Sequence, residues 1–112
     1  MVRMKRVYEA AEPADGTRVL VDRLWPRGVR KQAAALDWWA TEVAPSTALR
    51  RAFAHHGERF EAFAEAYRRE LEGNRALEEL RRLAAKGTLT LLYAARDEEH
   101  NHARVLEALI RD

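Results

Sequence analysis

The segment 22–28 has the residue types of an anion-binding loop, with the sequence Asp-Arg-Leu-Trp-Pro-Arg-Gly. Arg23 and Arg27 bracket a Trp-Pro pair, in which the proline restricts its own backbone and that of Trp25. A stiff loop with two guanidinium groups is suited to phosphate or carboxylate, and the indole ring offers a stacking face. We therefore predict that Arg23, Trp25 and Arg27 bind an anionic ligand, with Asp22 orienting a donor.

The same loop also has a purely structural interpretation. Trp25 would then fill a gap in the core, and Arg23 would pair with Asp22 or Asp37. The residues of the loop do not decide between these two interpretations.

A second polar segment, residues 94–102, has the sequence Ala-Ala-Arg-Asp-Glu-Glu-His-Asn-His. We expect Asp97 to cap a helix that begins there, which makes this helix start a poor anion site. His100 is an acid/base candidate. Glu98 and His102 are four residues apart, but no third metal ligand accompanies them, so we predict no metal site.

Two further candidates lie near the middle of the chain. His55 ends a helix that begins at Ser46, where a histidine is stabilised by the helix dipole, but it is also a candidate acid or base. Arg50 lies in the first turns of that helix, where its charge does not suit the dipole. We therefore include Arg50 among the ligand-binding candidates.

Strands must position these segments. Residues 18–22 and 88–93 form short apolar runs that are typical of buried strands, and residues 3–8 form a third candidate strand. Ligands in open α/β sheets bind beyond the carboxyl ends of the strands. If the strands at 18–22 and 88–93 are parallel neighbours, the two polar segments meet.

Helical periodicity and capping residues indicate helices from Ser46, over 60–71, over 74–86 and over 97–110. Residues 31–43 are ambiguous, because Ala33–Ala35 favours helix whereas Leu36–Trp39 favours a brief strand. The predicted fold is a single compact α/β domain over residues 1–112, with a small, mainly parallel sheet covered by four to five helices.

Composition sets limits on function. The 112 residues include no cysteine, so disulfides, iron–sulfur clusters and a cysteine nucleophile are excluded. We expect a cytoplasmic protein without a membrane span. No glycine-rich phosphate loop occurs, and we predict no cofactor.

Arginine dominates the basic residues of the chain, supplying 17 of the 20, although the formal net charge is only +2. This excess suggests an alternative function as a nucleic-acid-binding accessory protein. That alternative requires a contiguous basic face.

The run at 19–28, followed by Lys31, resembles the signature of the YeaO-like family of uncharacterised bacterial proteins. The resemblance extends over nearly the whole chain, through Asp37-Trp38, Ala44-Pro45-Ser46, Phe60-Glu61-Ala62-Phe63, residues 89–95 and residues 97–103. One departure is Arg96, where family members often carry lysine.

This resemblance implies a small α/β fold in a bacterial or archaeal intracellular protein, and no established activity. The family's polar signature falls here on Arg23, Trp25, Arg27, Arg50, His55, His100 and Asn101. We expect a binder of, or an enzyme acting on, a phosphate- or carboxylate-bearing metabolite such as a nucleotide. His55 or His100 would be the acid or base, Arg50 and Asn101 would add ligand contacts, and the oligomeric state is left open.

Overall fold

The computed structural model describes residues 1–53 and 59–111. The strands are β1 (Val2–Arg6), β2 (Thr17–Leu20), β3 (Trp38–Trp39) and β4 (Leu89–Tyr93). They form one sheet in the order β1-β4-β2-β3, with every neighbouring pair parallel. The helices are α1 (Lys31–Ala34), α2 (Thr47–Ala52), α3 (Phe60–Glu70), α4 (Arg75–Lys86) and α5 (His102–Arg111). The predicted α/β fold with a small parallel sheet is confirmed.

Two helix starts follow the predicted capping residues. Ser46 Oγ accepts a hydrogen bond from the Leu49 N–H at 3.1 Å, and Asn74 Oδ1 accepts one from the Leu77 N–H at 3.0 Å. Each cap satisfies a backbone donor that has no partner within its helix. The ambiguous segment 31–43 contains both a short helix, α1, and a two-residue strand, β3.

The start of the last helix was predicted wrongly. α5 begins at His102, five residues after Asp97. Asp97 Oδ1 instead accepts the N–H groups of Glu99 and His100, which closes a separate turn. Asn101 Oδ1 accepts the Arg104 N–H at 3.0 Å and so supplies the cap near the start of α5.

The two faces of the sheet are covered differently. Val19, Leu91 and Tyr93 belong to the main core, together with buried residues of α3, α4 and α5. Leu20 and Leu92 alternate with them and lie in a second, smaller cluster. That cluster is covered by side chains of the segment 25–36 rather than by a long helix.

A buried charge cluster lies beside the first two strands. The Asp15 carboxylate is fully buried and accepts hydrogen bonds from Arg18, Lys5 and the Glu12 N–H. Burial acts to raise the pKa of Asp15, but these hydrogen bonds outweigh it, so the pKa lies below its ordinary value. Thr90 Oγ1 donates to the Asp15 carbonyl at 2.7 Å and ties the cluster to β4.

No helix in residues 1–53 and 59–111 is long and apolar enough to cross a membrane.

Candidate functional site

A cavity of about 980 Å³ opens at the carboxyl ends of β2 and β4. We call it the sheet-edge cavity. Its lining comes from the segment after β2, from α2, from the start of α3, and from the segment that joins β4 to α5. The lining residues with polar or aromatic side chains are Asp22, Arg23, Thr47, Arg50, Arg51, Phe53, Phe60, Phe63, Arg96, Asp97, His100, Asn101 and His102.

The two polar segments, 22–28 and 94–102, meet at one edge of the sheet, as predicted for parallel neighbouring strands. β2 and β4 are parallel neighbours, with Leu20 opposite Leu92. Directly beyond them, Asp22 Oδ2 accepts the Ala94 N–H at 3.0 Å. Asp22 therefore connects the two segments at the floor of the cavity, across 72 positions of sequence.

Asp22 also faces His102 at the start of α5. Asp22 Oδ1 and His102 Nε2 are 2.9 Å apart, and both side chains are only 15% exposed. The distance is that of an ion pair, yet neither atom has a hydrogen-bond partner of suitable geometry within the described residues. His102 thus lies against Asp22. No group of three metal-ligating side chains occurs in residues 1–53 and 59–111.

Arg23 is held at the cavity by backbone carbonyls. Its Nε donates to the Pro45 carbonyl at 3.2 Å, and its Nη2 donates to the Ala44 carbonyl at 3.4 Å. A guanidinium group has five N–H donors, so these two bonds leave others for a ligand. Within the described residues, Arg23 does not form the ion pair with Asp22 or Asp37 that the structural interpretation required.

Arg50 and Arg51 lie in the last turn of α2, where a positive charge suits the helix dipole, so the predicted mismatch of Arg50 with the dipole was wrong. Ser46 caps this helix, and the Glu70 carboxylate accepts hydrogen bonds from both the Ser46 N–H and the Ser46 hydroxyl. Glu70 ends α3, so these bonds fix α2 against the longer helix. The two exposed arginines consequently share the cavity with Arg23.

The turn before α5 brings Asp97, His100 and Asn101 to the rim. The N–H groups of His100 and Glu99 hold the pKa of Asp97 below its ordinary value, so this carboxylate remains ionised. His100 Nδ1 lies 3.1 Å from Asp97 Oδ2. Asn101 lines the cavity, but its amide is used within the turn: Nδ2 donates to the Asp97 carbonyl and Oδ1 accepts from Arg104.

Trp25 and Arg27 are not among the residues that line the cavity. Trp25 packs on the second face of the sheet, with Leu20 and Leu92, and its indole N–H donates to the Val29 carbonyl at 2.8 Å. Arg27 is exposed, and its carbonyl accepts the Tyr8 hydroxyl at 3.1 Å. The structure therefore separates these two from Arg23. His55 lies outside the described residues.

Comparison with known proteins identifies the family. The whole chain, residues 1–112, matches the family described as the inactive DUF488-N3 subclade. The chain belongs to this family. It is 48% identical to the uncharacterized protein YeaO of Escherichia coli, over 98% of this chain and 96% of YeaO. It is 46% identical to the uncharacterized protein Rv3073c of Mycobacterium tuberculosis, over 97% of this chain and 92% of that protein. No solved structure matches the chain.

Several cavity residues of this DUF488-N3 member were missed by sequence reasoning. Phe53, Phe60 and Phe63 pack against the main core and also line the cavity, but they were not among the predicted site residues. Arg51 and Arg96 carried a weak signal, because one adjoins Arg50 and the other lies in the second polar segment. The position of Arg51 at the cavity depends on how α2 packs against α3, whereas Arg96 reaches it from the segment between β4 and α5.

Proposed function

We propose that this DUF488-N3 protein binds a small phosphate-bearing metabolite in the sheet-edge cavity, with the arginine side chains as the anion-binding groups. One observation carries the proposal: Arg23, Arg50, Arg51 and Arg96 line a single cavity beyond the carboxyl ends of parallel strands. This edge is where open α/β sheets bind ligands. Guanidinium groups also match the planar, bidentate geometry of phosphate and carboxylate.

The balance of charge in the cavity supports an anion. Four arginines share the lining with two acids, Asp22 and Asp97. Asp22 accepts a backbone N–H and lies against His102, while Asp97 accepts two N–H groups of its own turn. The four guanidinium groups outnumber the two carboxylates, so the lining keeps an excess of positive charge that attracts an anion.

Binding is better supported than catalysis. The family's description as inactive favours a binding role. His100 at the rim and Asp22 at the floor are therefore assigned to the binding site, and a catalytic role for His55 stays a prediction.

The nucleic-acid alternative has less support from the helical arginines. Several of them pair with glutamates of their own helix, which makes a mixed surface there instead of a basic face. These pairs are Arg69–Glu65, Arg81–Glu78, Arg82–Glu79, Arg104–Glu107 and Arg111–Glu107.

Two matched arginine substitutions test the anion site. Arg50→Gln removes a charge from the cavity, whereas Arg27→Gln removes one from an exposed position that does not line it. We expect ribose 5-phosphate to bind the wild type and Arg27→Gln equally in isothermal titration calorimetry. Loss of a charge-assisted hydrogen bond costs about 1.5–3 kcal/mol, so Arg50→Gln should bind roughly tenfold to a hundredfold more weakly.

The site is refuted if neither inorganic phosphate nor ribose 5-phosphate binds the wild type. An equal loss of affinity in Arg50→Gln and Arg27→Gln would also refute it, because the effect would then be one of net charge and not of the cavity.

A further inference from the structure

The sheet-edge cavity has more room than an anion requires. Its volume of about 980 Å³ lies near the top of the range of roughly 300–1,000 Å³ that is typical of ligand pockets. A phosphate group held by the arginines would fill only a part of it. The remainder of the ligand must therefore suit the rest of the lining.

Aromatic rings form one continuous part of the remaining lining. Phe53, Phe60 and Phe63 are half-buried and in mutual contact, with ring centroids 5.9 Å apart for Phe53–Phe63 and 6.0 Å apart for Phe60–Phe63. The His100 ring meets the Phe60 ring edge to face at 5.3 Å. The four rings of Phe53, Phe63, Phe60 and His100 therefore contact one another in series, and we call this row the aromatic wall. At its Phe53 end the Arg59 guanidinium lies over the ring, 5.5 Å from the centroid. Aromatic side chains of this kind stack with planar rings.

We propose that the ligand is a nucleotide, with its base against the aromatic wall and its phosphate among the arginines. This inference rests on the anion site proposed above and adds the planar ring. Four guanidinium groups suit a doubly charged phosphate better than a single carboxylate. The same chemistry is offered by a free mononucleotide and by the terminal nucleotide of a nucleic-acid strand.

The first test compares three probes on the wild-type chain by isothermal titration calorimetry: adenosine monophosphate, ribose 5-phosphate and adenosine. Stacking of a base on an aromatic side chain strengthens binding by about fivefold to a hundredfold. We expect adenosine monophosphate to bind at least about fivefold more tightly than ribose 5-phosphate. Equal affinities would overturn the nucleotide inference and leave the anion site intact. Failure of both phosphates to bind would remove the anion site as well.

The second test removes one ring of the aromatic wall. Phe60→Leu keeps an apolar side chain but loses the aromatic face. We expect the affinity for adenosine monophosphate to fall towards that for ribose 5-phosphate, and the affinity for ribose 5-phosphate to stay unchanged. The control is Tyr8→Leu, which removes an exposed ring outside the cavity and should change neither affinity. Unchanged adenosine monophosphate binding in Phe60→Leu would contradict the inference. If this variant fails to fold by circular dichroism, Phe53→Leu takes its place.

A third arm distinguishes the two sources of the nucleotide. A short 5′-phosphorylated oligodeoxyadenylate is titrated beside adenosine monophosphate at several salt concentrations. Tighter, steeply salt-dependent binding of the oligonucleotide indicates a strand end, because further phosphates then contact the protein. Equal or weaker binding indicates the free mononucleotide. Binding of the oligonucleotide without measurable binding of adenosine monophosphate would overturn the inference, since the cavity would not hold the nucleotide by itself.

Discussion

The buried Asp15 carboxylate offers a sharp test of the energetics of this fold. It is fully buried and accepts hydrogen bonds from the Arg18 guanidinium, from Lys5 Nζ at 3.2 Å and from the Glu12 N–H at 2.9 Å. Arg18 is itself only 4% exposed. The substitution Asp15→Asn keeps the shape of the side chain and removes its charge, so that the buried guanidinium loses its counterion.

The loss of stability expected for Asp15→Asn depends on the hydrogen bonds that Arg18 keeps in the variant. Breaking a buried ion pair by removing one partner costs about 3–5 kcal/mol. Arg18 still donates to the Ala34 carbonyl at 2.7 Å and to the Ala35 carbonyl at 3.2 Å, which places the cost near the lower limit. We expect a loss of about 3 kcal/mol in the free energy of unfolding. At about 4 °C per kcal/mol for a domain of this size, the melting temperature should fall by about 12 °C.

Urea unfolding and thermal melts at neutral pH measure both quantities. Glu12→Gln is the control, because Glu12 pairs with the same lysine at 2.8 Å but is 61% exposed. An exposed pair contributes less than about 1 kcal/mol. The reasoning is refuted if Asp15→Asn costs no more than Glu12→Gln.

Two further predictions concern pH and one backbone turn. The pKa of Asp15 is lower in the folded protein than in the unfolded chain, so ionised Asp15 stabilises the fold above about pH 4. This stabilisation is lost as the pH falls through the pKa that Asp15 has in the folded protein. The stability difference between the wild type and Asp15→Asn, followed by urea unfolding, should therefore shrink in acid; a constant difference would contradict the assignment. Gly16 has φ +62°, and an added Cβ would lie 2.3 Å from the Thr88 carbonyl oxygen, whereas Gly73 has φ +74° with open space around it. Gly73→Ala adds only the strain of a left-handed backbone, about 1–2 kcal/mol. In thermal melts, Gly16→Ala should therefore lower the free energy of unfolding by at least about 1 kcal/mol more than Gly73→Ala does. Equal losses would contradict the prediction, because they would show that the Thr88 carbonyl moves away from the added Cβ.

Part of the site was predictable from sequence order alone. Asp22, Arg23 and His100 were proposed from their residue types and from the strands that they follow, Arg50 from its place in a helix and Asn101 from the family signature. All five line the sheet-edge cavity. The argument succeeded because β2 and β4 end at the same edge of a parallel sheet, so the segments that follow them meet there.

The loop 22–28 shows where that argument ends. Arg23 and Trp25 are two positions apart, yet Arg23 lines the cavity while Trp25 packs on the second face of the sheet. No local pattern separates them. Trp25 packs against an apolar cluster whose buried members, Val7, Leu20 and Leu92, come from distant parts of the sequence. Burial of this apolar surface stabilises the position of the indole ring.

The sequence by itself determined the α/β class, the caps at Ser46 and Asn74 and the extent of α3 and α4, because periodicity and capping act within a few residues of the chain. Tertiary structure decided which side chains share the cavity. The contact of Asp22 with His102 and the approach of the aromatic wall to the arginines join distant parts of the chain, and burial of apolar surface by the packed helices brings them together.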